Sequence, residues 1–192
     1  MTKLGWSIIV LIVLVVGAFV SLTSFGGGDE HAARPAAVAP VRVNAGQLVV
    51  PVAGVRRSAL VSNWGDARGG GARTHHGLDI MAPSGTPVIA AAAGTVEKLY
   101  ESGLGGTTLY VRSPDRLWTY YYAHLAGYAA GIREGQHVAA GETIGYVGDT
   151  GDAGAGNYHL HFSTTRMRPE QRWYQGEDVD PYPMLAGGGA GG

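Results

Sequence analysis

The sequence predicts an all-β fold, an antiparallel β-sandwich or barrel of short strands, preceded by one N-terminal transmembrane helix. Three observations carry this. Glycine takes 32 of 192 positions, more than twice ordinary usage, and many of these glycines punctuate short apolar runs. After the first 25 residues, no stretch repeats apolar residues at the period of an amphipathic helix. Within them, by contrast, positions 4–28 carry no charge and 8–20 are almost purely aliphatic.

A bilayer core of about 30 Å needs roughly 20 apolar residues as helix, and residues 4–25 suffice. Lys3 precedes this run while Asp29 and Glu30 follow it, so the positive-inside rule keeps the N-terminus cytoplasmic and exports the rest. A cleaved signal peptide is the rival reading. No clean small-x-small site follows at the right distance, which favours an uncleaved anchor over residues 1–25. Residues 26–47, GGGDEHAARPAAVAPVRVNAGQ, read as a flexible linker, with His31 as a solvated linker residue. The tail 186–192, AGGGAGG, cannot bury anything and is expected to be disordered. A compact domain over 48–185 remains.

Its strands follow in order. LVVPVA at 48–53 reads as an opening edge strand, because Pro51 cannot donate to a ladder. Residues 87–92 and 95–100 form two short strands around a bend at Gly94. Residues 108–112 and 117–123 make a hairpin about the turn Ser113-Pro114-Asp115-Arg116. Residues 135–138 and 141–145 repeat a Gly-x-x-apolar rhythm. A final strand, 159–165, places Leu160 and Phe162 on one face and His159, His161 and Ser163 on the other.

The balance of charges narrows the function. A net charge of −1, from 14 basic and 15 acidic residues, argues against a nucleic-acid partner. With no cysteine there are no disulfides, and any metal must be held by nitrogen and oxygen donors. Gly103, Gly105 and Gly106 lack the following Lys-Ser/Thr of a phosphate loop.

Five side chains carry the chemistry: His75 and Asp79 in THHGLDI, His124 in YYAHL, and His159 and His161 in NYHLHF. On a strand, residues i and i+2 point the same way with Cα atoms about 6.6 Å apart. One imidazole of the HxH can therefore bind a metal while the other reaches water or substrate. His75 and Asp79 would lie about 13 Å apart on a straight strand, so a bend near Gly77 must bring them together. With one histidine of the pair they make a His₂Asp set, the three-ligand pattern of catalytic rather than structural zinc. No HExxH is present, so His124 and the remaining histidine are the candidate bases. Tyr120, Tyr121, Tyr122 and Trp118 offer a stacking surface, although all but one suit a strand core better. His137 reads as an exposed turn residue, and Asp178 and Asp180 as turn residues near the chain end.

Taken in order, RTHHGLDIMAPSGTPVIAAAAGTV, YYAHL, VAAGETIGYVGDTG and HLHF resemble the LytM/lysostaphin-type zinc endopeptidases of cell-wall peptidoglycan. The resemblance covers 48–185. It implies a β domain with Zn²⁺ in a long open groove, cutting peptide cross-links of peptidoglycan. By position, His75, Asp79 and His161 would be the zinc ligands, with His159 and His124 as the catalytic pair that orients water and stabilises the oxyanion. His76 falls on a variable position and would line the groove. Two positions depart from the pattern: Asn157-Tyr158 stands where Gly-Pro is frequent, and Ser163 where Glu is frequent.

A non-catalytic cell-wall binding module, or an activator of other hydrolases, is the alternative. Such relatives typically lack zinc ligands, whereas all five positions are filled here. IREGQHVAAGETIG also resembles lipoyl-type and sugar-phosphotransferase sandwich domains, but the only lysine besides Lys3 is Lys98, which has no hairpin setting. An inner-membrane anchor with the domain on the periplasmic side suits a D-Ala–diaminopimelate cross-link, with a pentaglycine bridge or a protein as other substrates. A regulatory protein partner is compatible with this layout, and no residue names one.

Overall fold

The computed structural model describes residues 47–187. They lie within one compact unit. The anchor expected at 1–25, nearly all of the linker and most of the tail lie outside the described residues. Among the described residues no helix is long and apolar enough to cross a membrane.

The strands are β1 (Ala67–Arg68), β2 (Arg73–Thr74), β3 (Leu78–Met81), β4 (Pro87–Ile89), β5 (Gly94–Ser102) and β6 (Gly106–Arg112). There follow β7 (Trp118–Tyr128), β8 (His137–Val138), β9 (Thr143–Val147), β10 (His159–Arg166), β11 (Glu177–Val179) and one helix, α1 (Tyr182–Ala186). β1 and β2 pair as a small ribbon. The main sheet runs β11-β10-β7-β6-β5-β8, with β3 also on β10, and β9 joining β7 to β4. All these pairs are antiparallel, as expected. Closure into a barrel is the part of the expectation that fails. One end of the sheet is β8, only two residues long and paired to β5, which offers no ladder to the strands at the far edge.

Local sequence explains most elements. In the β6–β7 turn, Asp115 Oδ1 accepts from the Leu117 N–H at 3.0 Å and Ser113 Oγ accepts from the Trp118 N–H at 2.9 Å. Residues 48–53 run beside β4 but do not become a strand. Val49 N–H donates to the Ala91 carbonyl at 2.8 Å and Ala53 N–H to the Pro87 carbonyl at 3.0 Å, while Pro51 has no N–H with which to complete the ladder. β11 and α1 were not expected, since three and five residues are too short to display a period. Asp178 therefore lies in a strand, not a turn. Asp180 Oδ1 accepts from the Tyr182 N–H at 2.9 Å and starts α1.

The core lies on one face of the main sheet, where Val96, Leu109, Val111, Tyr122, Leu160 and Phe162 are fully buried. Each such side chain contributes about 1.5–3 kcal/mol relative to exposure. Tyr120 and Tyr122 belong to this core, and the Tyr122 hydroxyl accepts from the Ala91 N–H at 2.8 Å. Trp118 is half-buried beneath the Arg166 guanidinium, 5.4 Å from the ring centre.

One buried ion pair ties the C-terminal loop to the sheet. Arg112, 2 % exposed, donates to both oxygens of Glu97, at 2.6 and 3.0 Å, and to the Gln171 carbonyl at 2.8 Å. Removing one partner of such a pair leaves a desolvated charge. Glu97→Ala is expected to lower unfolding free energy by about 3–5 kcal/mol, read from urea denaturation. A loss below about 1 kcal/mol would mean that water replaces the carboxylate.

Candidate metal centre

Asp79 and His161 meet because β3 and β10 pair with these two residues directly opposite each other. Alternation along both strands sends Leu78, Ile80, Leu160 and Phe162 into the core and leaves Asp79, His159 and His161 on the other face. His75 precedes β3 and arrives through a bend at Gly77. This glycine is needed for space, not for a left-handed backbone. A Cβ there would stand 2.5 Å from His161 Cε1, 2.7 Å from its Nε2 and 2.9 Å from the Phe162 carbonyl oxygen.

His124 reaches the same face by a β-bulge. Thr107 pairs with Leu125 and Leu109 with Tyr122, so Ala123 and His124 together oppose Thr108. Regular alternation would have pointed His124 into the core beside Tyr122. The extra residue turns it outward and returns Leu125 to the core, fully buried. His124 takes φ +60°, a left-handed conformation that costs an ordinary residue about 1–2 kcal/mol.

Three donor atoms converge. His75 Nε2 and His161 Nδ1 are each 3.1 Å from Asp79 Oδ1 and 2.9 Å from one another. Asp79 Oδ2 instead takes Arg68 Nη2 at 2.5 Å and Asn63 Nδ2 at 3.1 Å. Asn63 also accepts the Asp79 N–H at 3.2 Å, and its carbonyl lies 2.8 Å from His75 Nδ1. A carbonyl only accepts, so His75 carries its proton on Nδ1 and turns an Nε2 lone pair to the cluster. Arg68 Nη2 also lies 3.1 Å from His75 Nδ1, but two donors cannot bond each other, and the guanidinium is already engaged by Asp79. A carboxylate oxygen and two imidazole nitrogens thus share, at most, the one proton of His161 Nδ1. A divalent cation in its place satisfies all three, and His75, Asp79 and His161 form a group able to hold one.

Burial alone would raise the Asp79 carboxyl, but hydrogen bonds and charge from His161 and His75 hold it far below the ordinary carboxylate range. Burial lowers His161 and His124 from the usual imidazole value, against the opposing pull of Asp79 on the former and the Thr150 carbonyl on the latter. His124 and His159 are oriented alike. Their Nδ1 atoms lie 2.8 Å from the carbonyls of Thr150 and Asn157, which leaves both Nε2 atoms with free lone pairs. The His159 Nε2 stands 3.8 Å from Asp79 Oδ1, and the His124 ring is 4.8 Å from the His159 ring.

The five residues therefore share one groove of about 440 Å³. Tyr121 is the tyrosine that joins them there, with its ring 5.9 Å from His161. His76 also lines the groove, stacked on Trp64 and bonded to Asp178 at 3.0 Å. His137 is exposed, in β8 rather than a turn. Asn63, Arg68 and the two supporting carbonyls are not legible in the sequence. They act through loop backbone or from positions with no spacing signal.

Two substitutions probe this construction. Gly77→Ala should displace His161 and weaken metal binding by about tenfold or more, or roughly 1.4 kcal/mol, in chelator competition. Unchanged affinity would show that the strands yield to the added methyl. At the bulge, His124→Gly should be more stable than His124→Ala by about 1 kcal/mol, reversing the usual order within a strand. Equal denaturation midpoints would remove the strain.

The model of a known family, peptidase family M23, matches residues 73–181. An L-Ala–D-Glu endopeptidase of Bacillus subtilis is 40 % identical over 130 residues, covering 65 % of this chain and 38 % of the relative. Lysostaphin of Staphylococcus simulans is 33 % identical over 121 residues, 61 % of this chain and 22 % of its own. The chain thus spans well under half the length of these relatives. Among solved structures, the catalytic domain of lysostaphin from S. simulans superposes with a TM-score of 0.55 at 27 % identity, covering 67 % of this chain and 94 % of that one. A putative M23 peptidase from Pseudomonas aeruginosa gives 0.57 at 28 %, covering 78 % and 53 %. The matched span takes in both strands that carry the donors, the bulge and the groove floor, and the chain belongs to peptidase family M23.

Proposed function

We propose that the chain is a zinc-dependent endopeptidase that hydrolyses peptide cross-links of cell-wall peptidoglycan. The observation that carries this reading is the convergence of His75, Asp79 and His161, whose ligand atoms all lie within 4.8 Å of one another. Relatives named as an L-Ala–D-Glu endopeptidase and a peptidoglycan DD-endopeptidase, ShyC of Vibrio cholerae, support the substrate class. Bound there, zinc would supply Lewis acidity, lowering the pKa of water to about 7 and polarising the scissile carbonyl.

The protein's own groups do the rest. Asn63 and Arg68 occupy the outer oxygen of Asp79, which leaves Oδ1 as its inward donor. His159 and His124 both bond a carbonyl through Nδ1 and leave Nε2 unengaged by it, so either, when unprotonated, can take the proton of an attacking water at that atom. That histidine then passes the proton on to the leaving amine, while the other, entering the step as imidazolium, donates its Nε2–H to the oxyanion. Their Nδ1–H bonds to Asn157 and Thr150 keep this tautomer in place and stabilise the charged form. In the same reading the domain acts outside the cytoplasm, tethered to the inner membrane through residues 4–25.

The test is incubation of the metal-loaded protein with purified sacculi, followed by chromatography and mass spectrometry of released fragments. Release is expected from the native protein and not after chelation or in His161→Ala, with zinc restoring the chelated sample. His124→Ala should lower kcat by about 10²–10⁴-fold. Fragment masses name the bond. Zinc binding without cleavage would overturn the substrate, and absence of zinc binding would overturn the centre.

A further inference from the structure

At Tyr121 the groove adjoins an aromatic cluster. Tyr121, on its floor, begins a continuous series of aromatic rings across the same face of the sheet. Tyr110 on β6 pairs directly with Tyr121 on β7, with ring centres 4.6 Å apart. Trp173 lies 4.8 Å beyond Tyr110, and Tyr100 and Tyr174 each 5.2 Å from Trp173. The outer two are open to solvent, Tyr100 at 43 % and Tyr174 at 58 % exposure.

Resting on the peptidoglycan reading above, we propose that this aromatic strip is a glycan subsite, which seats the sugar backbone while the attached peptide lies at the metal centre. The rings are all tyrosine or tryptophan, each with an apolar face and a hydroxyl or N–H at its edge. That combination suits a pyranose, which offers C–H groups on its face and hydroxyls around its rim. An apolar peptide would call for aliphatic side chains, and the strip contains none. Nor do the flanking charges favour an ionic ligand. Asp178 acts on Tyr110 and Glu101 lies next to Tyr100, whereas Lys98, opposite Tyr110, is bound by Glu134 at 2.8 Å. Arg172, with Nη1 3.4 Å from the Tyr174 hydroxyl, adds a charge of the opposite sign at the outer end, so neither sign stands alone along the strip.

The strip is also held in place before any ligand arrives. The loop bearing Trp173 is fixed by Arg112 on the Gln171 carbonyl and by Arg116 Nε on the Pro169 carbonyl at 2.9 Å. Rings already ordered lose little freedom on binding. Continuity through Tyr121 gives the sugars a place next to the reacting peptide.

The test uses the full-length protein and peptide-free glycan strands prepared from sacculi by amidase digestion. Binding is followed by calorimetry and by intrinsic tryptophan fluorescence. The native protein should bind the strands, and the double variant Tyr100→Ala/Tyr174→Ala should bind them about tenfold or more weakly. The variant should keep native metal affinity and native cleavage of free cross-linked peptides, but lose a similar factor in kcat/KM on intact sacculi. No binding by the native protein, or equal binding by the variant, overturns the subsite. A native protein that binds strands but cuts no peptide refutes the endopeptidase reading alone, since the strand-binding comparison still decides the subsite.

Discussion

The pairing of β3 with β10 is the constraint from which the centre follows. Asp79 stands opposite His161 and Leu160 opposite Ile80, so the ladder that aligns two candidate donors also aligns two core residues. A slip by one residue would send Asp79 into the core and Leu78 and Ile80 to the groove. Burying that carboxylate while exposing two branched side chains is unfavourable on both counts. The apolar core thereby enforces the geometry of the polar site on the opposite face.

Among the described residues two that are not glycine take a left-handed backbone, Arg116 in the β6–β7 turn and His124 in the groove. The bulge at His124 breaks the regular pairing of β6 with β7 and places a bulky residue in a left-handed conformation. It persists because its surroundings leave no alternative. Leu125 must be buried, His124 N–H donates to the Gly105 carbonyl at 2.8 Å, and the ring is bound by Thr150. Gly106 and Gly151, both at positive φ, let the two supporting loops approach so closely that a Cβ on either would stand about 2.2 Å from the other loop. Loops supply the carbonyls, and the sheet supplies the ring positions.

The charges in the groove are arranged with the same economy. Asp79 divides its two oxygens between a cationic and amide side, Arg68 and Asn63, and an imidazole side. Arg73 and Asp152, on two further segments of the lining, form an exposed pair at 2.8 Å. Such an exposed pair contributes about 0–1 kcal/mol, so it organises the rim more than it stabilises the fold.

Much of this was legible in the residues. Period-two alternation in His159–Arg166 separates the histidines from Leu160 and Phe162, and the turn at residues 113–116 announces its hairpin, because both are local properties of the chain. The need for a bend near Gly77 was legible from distance, but its cause was not, since the atom that excludes a Cβ belongs to His161, 84 positions away. The departure at Asn157 proved to matter through its carbonyl, which every residue possesses. Composition determined the donor chemistry, and short-range patterning determined the strands. Which imidazoles meet, which nitrogen each presents and whether the sheet closes were decided only by tertiary structure, because each depends on strand register and loop backbone between distant segments.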